Sequence, residues 1–236
     1  MTENTAVLAN YDNVLERIKA ASLKSGRDFE KINILAVTKY ARSQDIATLL
    51  THRNVFAVGE SRVQDSLQKW NNAPLNAFKT KKFFIGQLQS NKTLKVLEKF
   101  DIICSLDNAK ISARLNEQAE KLDKKANCLL QVKLTEKLTQ GGADLDEAPA
   151  LIKVIKEQNP NINLRGVMAI APIAPPQELR RLFKKVKNFF DNNFEKSDYL
   201  SLGMSEDYEV AVEEGSNLPR IGGAIFKNNA GGNNDN

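Results

Sequence analysis

The segment INILAVTK, residues 32–39, is an apolar run that ends in a lysine. Its aliphatic composition and short length predict a single buried β-strand. Lys39 then lies at the carboxyl end of that strand, which is where barrel enzymes keep their chemistry. Most lysines are solvated surface charges. A lysine held against apolar walls is partly neutral, however, and a neutral amine can condense with an aldehyde to form a Schiff base.

Seven further apolar runs follow, with amphipathic segments between them. We expect strands at residues 32–38, 55–59, 83–86, 102–106, 128–133, 164–170, 199–202 and 218–221. Helical patterns occupy residues 11–22, 43–51, 61–70, 91–99, 108–122, 144–157, 176–192 and 205–214. Eight strands that alternate with helices in 236 residues favour an α/β fold, a single (β/α)8 TIM-type barrel, over an open doubly wound sheet. We assign residues 1–226 to this barrel and predict a disordered tail for residues 227–236, KNNAGGNNDN, which have nothing apolar to bury.

The composition is that of a globular protein, with 42% hydrophobic and 27% charged residues. No apolar stretch approaches the roughly 18 residues of a membrane span, and the N-terminus lacks the basic and apolar regions of a signal peptide. We therefore expect a cytoplasmic protein. Cys104 and Cys128 have no metal-type neighbours and are expected to be reduced, buried strand residues. His52, the one histidine, leaves no His-based zinc site and no ready supply of imidazole bases.

The chain is basic, with a net charge of +5 and a pI near 9.1. Its lysines and arginines are spread along the chain beside acidic residues or on helical faces, without interleaved aromatic residues. This distribution favours a solvated surface over a nucleic-acid interface.

Two segments after the last two predicted strands have the composition of a phosphate site. Gly203-Met204-Ser205 offers a hydroxyl and backbone N–H groups, and residues 220–223, RIGG, offer a guanidinium and glycines that admit an anion close to the main chain. The loops after strands 7 and 8 are the usual phosphate site of such barrels. With Lys39 across the same mouth, they predict a pocket for a phosphorylated aldehyde.

These motifs occur together, in order, in a known family. The matching pieces are LAVTK (35–39), VGESRVQD (58–65), FIGQLQSNK (84–92), SLD (105–107), GVMAI (166–170), LGMSEDY (202–208) and RIG (220–222). On these motifs the chain resembles the YggS/PROSC-type pyridoxal phosphate homeostasis proteins over nearly its full length. The resemblance implies a barrel like the alanine racemase N-terminal domain, with pyridoxal 5′-phosphate (PLP) held as a Schiff base on Lys39.

The same resemblance gives a set of cofactor-binding residues. Ser205 and the amides of Gly222 and Gly223 would hold the phosphate, and Met168 and Met204 would supply apolar contact. Arg220 would meet either the phosphate or the pyridine nitrogen. The chain departs from the family at Ser61, where the family commonly has Asn, and at Gly223, where it has Thr or Ser. The second departure removes a hydroxyl from the phosphate site.

Three functions are compatible with these residues. The first is a PLP carrier or homeostasis protein that buffers the cofactor or delivers it to apo PLP-dependent enzymes. The second is an amino-acid racemase or decarboxylase of the same barrel type. Such relatives take an opposing acid or base from a second domain or subunit, and this sequence ends just after the eighth strand, so we favour the carrier and assign no catalytic residue. The third, a nucleic-acid or structural module, has no supporting motif.

Overall fold

A computed structural model describes residues 3–135 and 141–227. The strands are β1 (Leu35–Val37), β2 (Ala57–Glu60), β3 (Lys82–Phe84), β4 (Ile102–Leu106), β5 (Ala126–Lys133), β6 (Ile162–Ile170), β7 (Tyr199–Ser201) and β8 (Arg220–Ile221). From β1 to β7 each strand pairs in parallel with the next, and β8 pairs in parallel with β1, in the order β7-β6-β5-β4-β3-β2-β1-β8. The predicted eight-stranded parallel barrel is confirmed.

Backbone hydrogen bonds join the segment that leads into β8 to the end of β7. The N–H groups of Asn217 and Leu218 donate to the carbonyl of Leu200 at 3.0 and 3.3 Å, and the N–H of Arg220 donates to Gly203 at 2.9 Å. The sheet is thereby nearly closed, although no ladder joins β7 and β8. The loops that follow these two strands consequently lie next to each other.

Helices follow the strands in alternation. They are α1 (Glu3–Lys24), α2 (Ser43–His52), α3 (Val63–Trp70), α4 (Thr93–Lys99), α5 (Ala109–Lys121), α6 (Ala148–Gln158), α7 (Pro176–Asn193), α8 (Tyr208–Glu213) and α9 (Gly223–Phe226). The first begins at residue 3 rather than 11, because Val7 extends the buried stripe of Tyr11, Val14 and Ile18. The eighth begins at residue 208 rather than 205, because the chain first makes a turn there.

Side chains alternate between the two faces of the barrel wall. The buried cluster inside the barrel comes from the strands and the residues beside them: Leu35, Ala57, Phe83, Ile102, Cys104, Leu129, Met168 and Leu218. Outward-facing residues such as Ile103 and Val167 pack against the helices instead. The rings of Phe56, Phe83 and Tyr199 meet edge to face, with centroids 6.0–6.1 Å apart, inside the barrel. The interior is therefore a packed core, and space for a ligand has to come from the strand ends and loops.

The first helix, α1, and the last helix, α9, contact each other. The amide of Asn10 donates to the carbonyls of Ile225 and Lys227 at 3.1 and 3.3 Å. The predicted tail lies outside the described residues from 228 onward, while Lys227 itself caps α9 by donating its N–H to Gly223. Within residues 3–135 and 141–227, no helix is both long enough and apolar enough to cross a membrane.

Candidate functional site

Lys39 stands just beyond β1, at the carboxyl mouth of the barrel. Leu35 and Val37 face inward, since a Cβ built on Gly59 of the neighbouring strand would lie 3.4 and 3.5 Å from their side chains. Lys39 continues this alternation past the strand end. Its side chain is exposed, with Nζ 5.1 Å from the centre of the Tyr40 ring. The sequence led us to expect burial of this side chain, and the described structure does not show it.

The backbone around Lys39 is fixed by side chains of β2 and α3. The Lys69 ammonium donates to the carbonyls of Thr38 and Lys39, at 2.6 and 3.3 Å, and to Oε1 of Glu60 at 3.2 Å. The same carboxylate oxygen accepts from the Thr38 hydroxyl at 2.8 Å and from the Trp70 indole N–H at 3.1 Å. The exposed amine is thus carried on a well-anchored turn.

Ser205 and Gly223 meet at the same mouth, and their role as a phosphate site stays a prediction. The Ser205 hydroxyl accepts from the N–H of Ala224 at 3.1 Å, and a Cβ built on Gly223 would lie 3.5 Å from its Oγ. Gly203 has a φ of +89°, and a side chain there would collide with Ala211 at 2.6 Å. A glycine is needed at this bend, because left-handed φ and close packing both exclude a Cβ.

The turn after Gly203 is held by Asp207. One carboxylate oxygen of Asp207 accepts from the N–H of Met204 at 2.6 Å, and the N–H groups of Asp207 and Tyr208 donate back to the Met204 carbonyl. Burial raises the pKa of the Asp207 carboxyl, while its hydrogen bond to Met204 and the charge of Arg220 act in the opposite direction. The turn presents the Ser205 hydroxyl toward the loop after β8.

Strand pairing brings this loop beside Lys39. In the β1–β8 ladder Leu35 pairs with Arg220 and Ala36 with Ile221, which places Gly222 next to Val37. A Cβ on Gly222 would indeed approach the Val37 carbonyl oxygen to 3.1 Å. Lys39 lies two residues beyond Val37. We call the pair of Ser205 and Gly223 the phosphate cup. Lys39 therefore lies at a strand end next to the strand that Gly223 follows.

Arg220 lies inside the barrel, 4% exposed, below the strand ends. Its Nη1 donates to the carbonyl and hydroxyl of Ser201 at 2.7 and 2.9 Å, and its Nη2 donates to the carbonyl of Ala169 at 2.9 Å. Burial lowers the pKa of Arg220 to about 10, so the guanidinium stays charged at neutral pH. The contact of Arg220 with a ligand stays a prediction.

The two methionines of the predicted site occupy different environments. Met168, on β6, is 1% exposed and belongs to the packed interior cluster. Met204, in the turn after β7, is 40% exposed. Only Met204 has a free surface in this structure, and Met168 can contribute to a ligand site from beneath it.

Ser61 follows β2, which is separated from β8 by β1 in the strand order. It lines a cavity of about 270 Å³ together with Arg62, Gln87 and Lys92. A Cβ on Gly86 would lie 2.0 Å from the Ser61 carbonyl oxygen, so the loops after β2 and β3 cross in direct contact. In the described part of the chain, no hydrogen bond joins Ser61 to Ser205 or Gly223.

Glu60, Lys69 and Asp207 stabilise the mouth through contacts that the sequence did not predict. Glu60 and Asp207 lie within matched motifs, and a carboxylate that ends an apolar strand is a usable signal. Lys69 had no such signal in the sequence, because its position at the mouth depends on how α3 packs against β1. Elsewhere in the described residues, no group of three His, Cys, Asp or Glu side chains is arranged to hold a metal ion. Cys104 and Cys128 are free and buried, as predicted.

Comparison with known proteins places these features in a family. The model of the alanine racemase N-terminal domain matches residues 10–230. The pyridoxal phosphate homeostasis protein of Escherichia coli K12 is 34% identical over 224 residues, covering 92% of this chain and 94% of that protein. The protein of the same name from Pseudomonas aeruginosa is 33% identical over 223 residues, covering 94% of this chain and 95% of that one.

Solved structures agree with this placement. PipY of Synechococcus elongatus PCC7942, solved with PLP bound, superposes with a TM-score of 0.74 at 29% identity, over 90% of this chain and 99% of that one. An alanine racemase of Clostridium difficile 630 shares the fold alone, with a TM-score of 0.68 at 15% identity over 96% of this chain and 58% of its own. The chain therefore belongs to the alanine racemase N-terminal domain family and, within it, to the pyridoxal phosphate homeostasis proteins.

Proposed function

We propose that this chain binds pyridoxal 5′-phosphate at the carboxyl mouth of its barrel and serves in intracellular PLP homeostasis. The observation that carries the proposal is the placement of Lys39, after β1, beside the phosphate cup at the neighbouring end of β8. The names of the bacterial relatives and the PLP bound to PipY support the same ligand.

The residues at the mouth fit the cofactor. The Ser205 hydroxyl and the backbone of Gly222 and Gly223 form a cradle in which a Cβ at position 223 would meet neighbours only at 3.5 Å or more. The Ser105 hydroxyl, at the carboxyl end of β4, is buried and has no hydrogen-bond partner among the described residues. An anion in the cradle and a polar ring beneath it would satisfy groups of this kind.

When bound, PLP supplies an aldehyde with which a primary amine condenses. We propose Lys39 as that amine. Because its side chain is exposed in the described structure, occupation of the mouth by the ring has to supply the desolvation that favours the neutral amine. Met204 would cover one side of the pocket, Met168 would close it from beneath, and Ser61 would act only at its edge.

We place Arg220 against the ring nitrogen rather than the phosphate. Its contacts with Ser201 and Ala169 lie within the strands, deeper than the cradle formed by Ser205 and Gly223. A charged donor at that nitrogen opposes protonation of the ring, which weakens the cofactor as an electron sink. This placement supports a carrier over a racemase or decarboxylase.

Covalent attachment tests the proposal directly. Purified protein with added PLP should retain visible absorbance after the free PLP is removed by gel filtration, and borohydride reduction followed by peptide mass analysis should mark Lys39. Lys133, the last residue of β5, provides the matched control, and Lys133→Ala should leave the labelling unchanged. A colourless protein, or a label on Lys92 or Lys133 in the unaltered chain, would contradict the proposal.

Proton exchange separates the carrier from the enzyme. Without a positioned base, alanine added to the PLP-loaded protein should not exchange its α-proton with deuterated solvent faster than alanine with free PLP does. The rate is read by NMR. Exchange well above the free-cofactor rate would favour the racemase reading.

The cellular setting is part of the same proposal. We propose a cytoplasmic protein whose recipients are apo PLP-dependent enzymes. Transfer can be followed by mixing the loaded protein with such an apoenzyme and measuring the recovery of that enzyme's activity. If activity recovers no faster than with an equal concentration of free PLP, the protein does not deliver the cofactor directly. Buffering of PLP would then be the role that remains.

A further inference from the structure

Lys69 contacts both peptide groups that flank the Cα of Lys39. Its ammonium donates at 2.6 Å to the carbonyl of Thr38, which precedes Lys39, and at 3.3 Å to the carbonyl of Lys39 itself. Two donors from one ammonium restrain the peptide planes on both sides of one residue. The long side chain of Lys69 thus reaches from the last turn of α3 to the turn after β1.

This ammonium is itself held by a buried carboxylate. Glu60 is 1% exposed, and the Lys69 side chain is 13% exposed. Oε1 of Glu60 also accepts from Thr38 and Trp70 at 2.8 and 3.1 Å, so three donors converge on one oxygen. Burying both charges costs desolvation free energy that an apolar pair would not, so the presence of the pair is weak evidence for added stability.

We propose that Lys69, held by Glu60, is a positioning residue that sets the direction in which Lys39 leaves the barrel wall. The inference rests on the proposed function of Lys39. Condensation requires the amine to approach the aldehyde carbon along a narrow path, and a displacement near 1 Å can cost on the order of 100-fold in rate. The Lys39 side chain is flexible and exposed, so its backbone is the part that the protein fixes.

Four variants test this role. Lys69→Met removes the donors and keeps the length of the side chain. Adding Glu60→Gln to Lys69→Met avoids an unpaired buried carboxylate, which guards against misfolding. Lys69→Arg retains a charged multiple donor and should restore part of the effect. Lys121→Met removes an exposed lysine that pairs with Glu117 on α5 and serves as the control.

Two readouts distinguish positioning from a merely structural role. The first is the rate at which the absorbance band of added PLP shifts from its position in free PLP, measured by stopped flow. The second needs no cofactor: deuterium exchange at the backbone amides of residues 38–41 in the free protein. We expect the double variant to react about tenfold more slowly or worse and to exchange faster at these residues, with Lys69→Arg intermediate and Lys121→Met unchanged.

Each outcome has a defined meaning. A lower melting temperature with a reaction rate within about twofold of the parent would overturn the proposal, because the pair would then only stabilise the fold. Unchanged exchange at residues 38–41 in the double variant would also overturn it. If the parent protein shows no change in the absorbance of added PLP, the proposed function is contradicted. The exchange measurement would still decide whether Lys69 fixes this turn.

Discussion

Gly222 and Gly223 follow β8 and differ in the space around them. A Cβ on Gly223 would make only ordinary contacts, with Ser205 Oγ and the Lys227 side chain both at 3.5 Å, whereas one on Gly222 would approach Val37 to 3.1 and 3.2 Å. Neither residue has left-handed φ. Gly223→Ser should therefore fold normally and, by adding a hydroxyl at the cradle, tighten PLP binding by about 0.5–1.5 kcal/mol.

Gly222→Ser is the matched control and should lower the melting temperature without tightening binding. Dissociation constants from absorbance titration, with circular dichroism for folding, measure both effects. Weaker PLP binding by a well-folded Gly223→Ser would show that the phosphate does not lie against this residue.

Arg220 connects three strands from inside the barrel. Removing it leaves the buried carbonyls of Ser201 and Ala169 without their donor and opens a cavity. An unsatisfied buried polar group costs about 1–3 kcal/mol, and lost packing adds to this. Arg220→Ala should thus lower the free energy of unfolding by roughly 3 kcal/mol or more, measured by urea denaturation.

Arg114→Ala is the control for Arg220→Ala. Arg114 forms an exposed ion pair with Glu117, and such pairs contribute about 0–1 kcal/mol. Equal losses in the two variants would mean that the buried contacts of Arg220 add nothing beyond a surface charge. The comparison also affects binding studies, because a weak affinity in Arg220→Ala has to be separated from partial unfolding.

At the scale of elements, α1 supports the phosphate cup from behind. Ile18 of α1 is fully buried in a cluster with Tyr208 and Val212 of α8 and Ile225 of α9. Ile18→Ala should cost about 2–5 kcal/mol of stability, as large-to-small core changes do. Because α8 and α9 follow the loops of the cup, the same variant should weaken PLP binding.

Leu23→Ala provides the comparison within the same helix. Leu23 is 81% exposed, and its replacement should change stability by less than about 0.5 kcal/mol and leave binding unaltered. Thermal unfolding and PLP titration of both variants are the measurements. If Ile18→Ala loses stability but binds PLP as tightly as the parent, the packing of α1 does not determine the geometry of the cup.

The sequence predicted elements better than contacts, for a physical reason. Apolar runs mark strands because a parallel barrel buries both faces of its wall, and all eight were located. The helix α9 escaped notice because four residues give no periodicity. The helix α8 begins later than predicted because the Asp207 carboxylate accepts a hydrogen bond from the backbone of the turn after Gly203. Such a side-chain bond competes with helix formation, and the apolar pattern does not reveal it.

Within the site, position along strands was predictable and side-chain reach was not. The placements of Lys39, Ser205 and Gly223 followed from strand ends, since parallel strands bring their carboxyl ends to one mouth. The exposure of Lys39, the separation of Ser61 from the cup and the reach of Lys69 depend on tertiary packing. Residue type and spacing contain no information on those distances.

At the scale of the whole molecule, the two cysteines report on the integrity of the barrel. Cys104 and Cys128 are fully buried on adjacent strands, β4 and β5. Burial raises the pKa of the Cys104 thiol to about 12 and moves that of Cys128 in the same direction. Native protein at pH 8 should therefore resist thiol reagents, and labelling should proceed only through opening of the barrel.

The same burial predicts how stability changes with alkaline pH. The unfolded thiols ionise near pH 8.5, whereas the folded thiols hold their protons toward pH 12, so the unfolded chain loses protons first as pH rises. The contribution of the protonated thiols to the free energy of unfolding is complete below the unfolded pKa. Above it the contribution is lost, at up to roughly 1.4 kcal/mol per pH unit for each thiol. Urea denaturation of the parent between pH 8 and 10 should show this decline. A Cys104→Ala, Cys128→Ala double variant should show a shallower one, even though its smaller side chains lower its stability at every pH. Equal slopes would mean that the thiols also ionise in the folded barrel, which would require water to reach the strands that form its core.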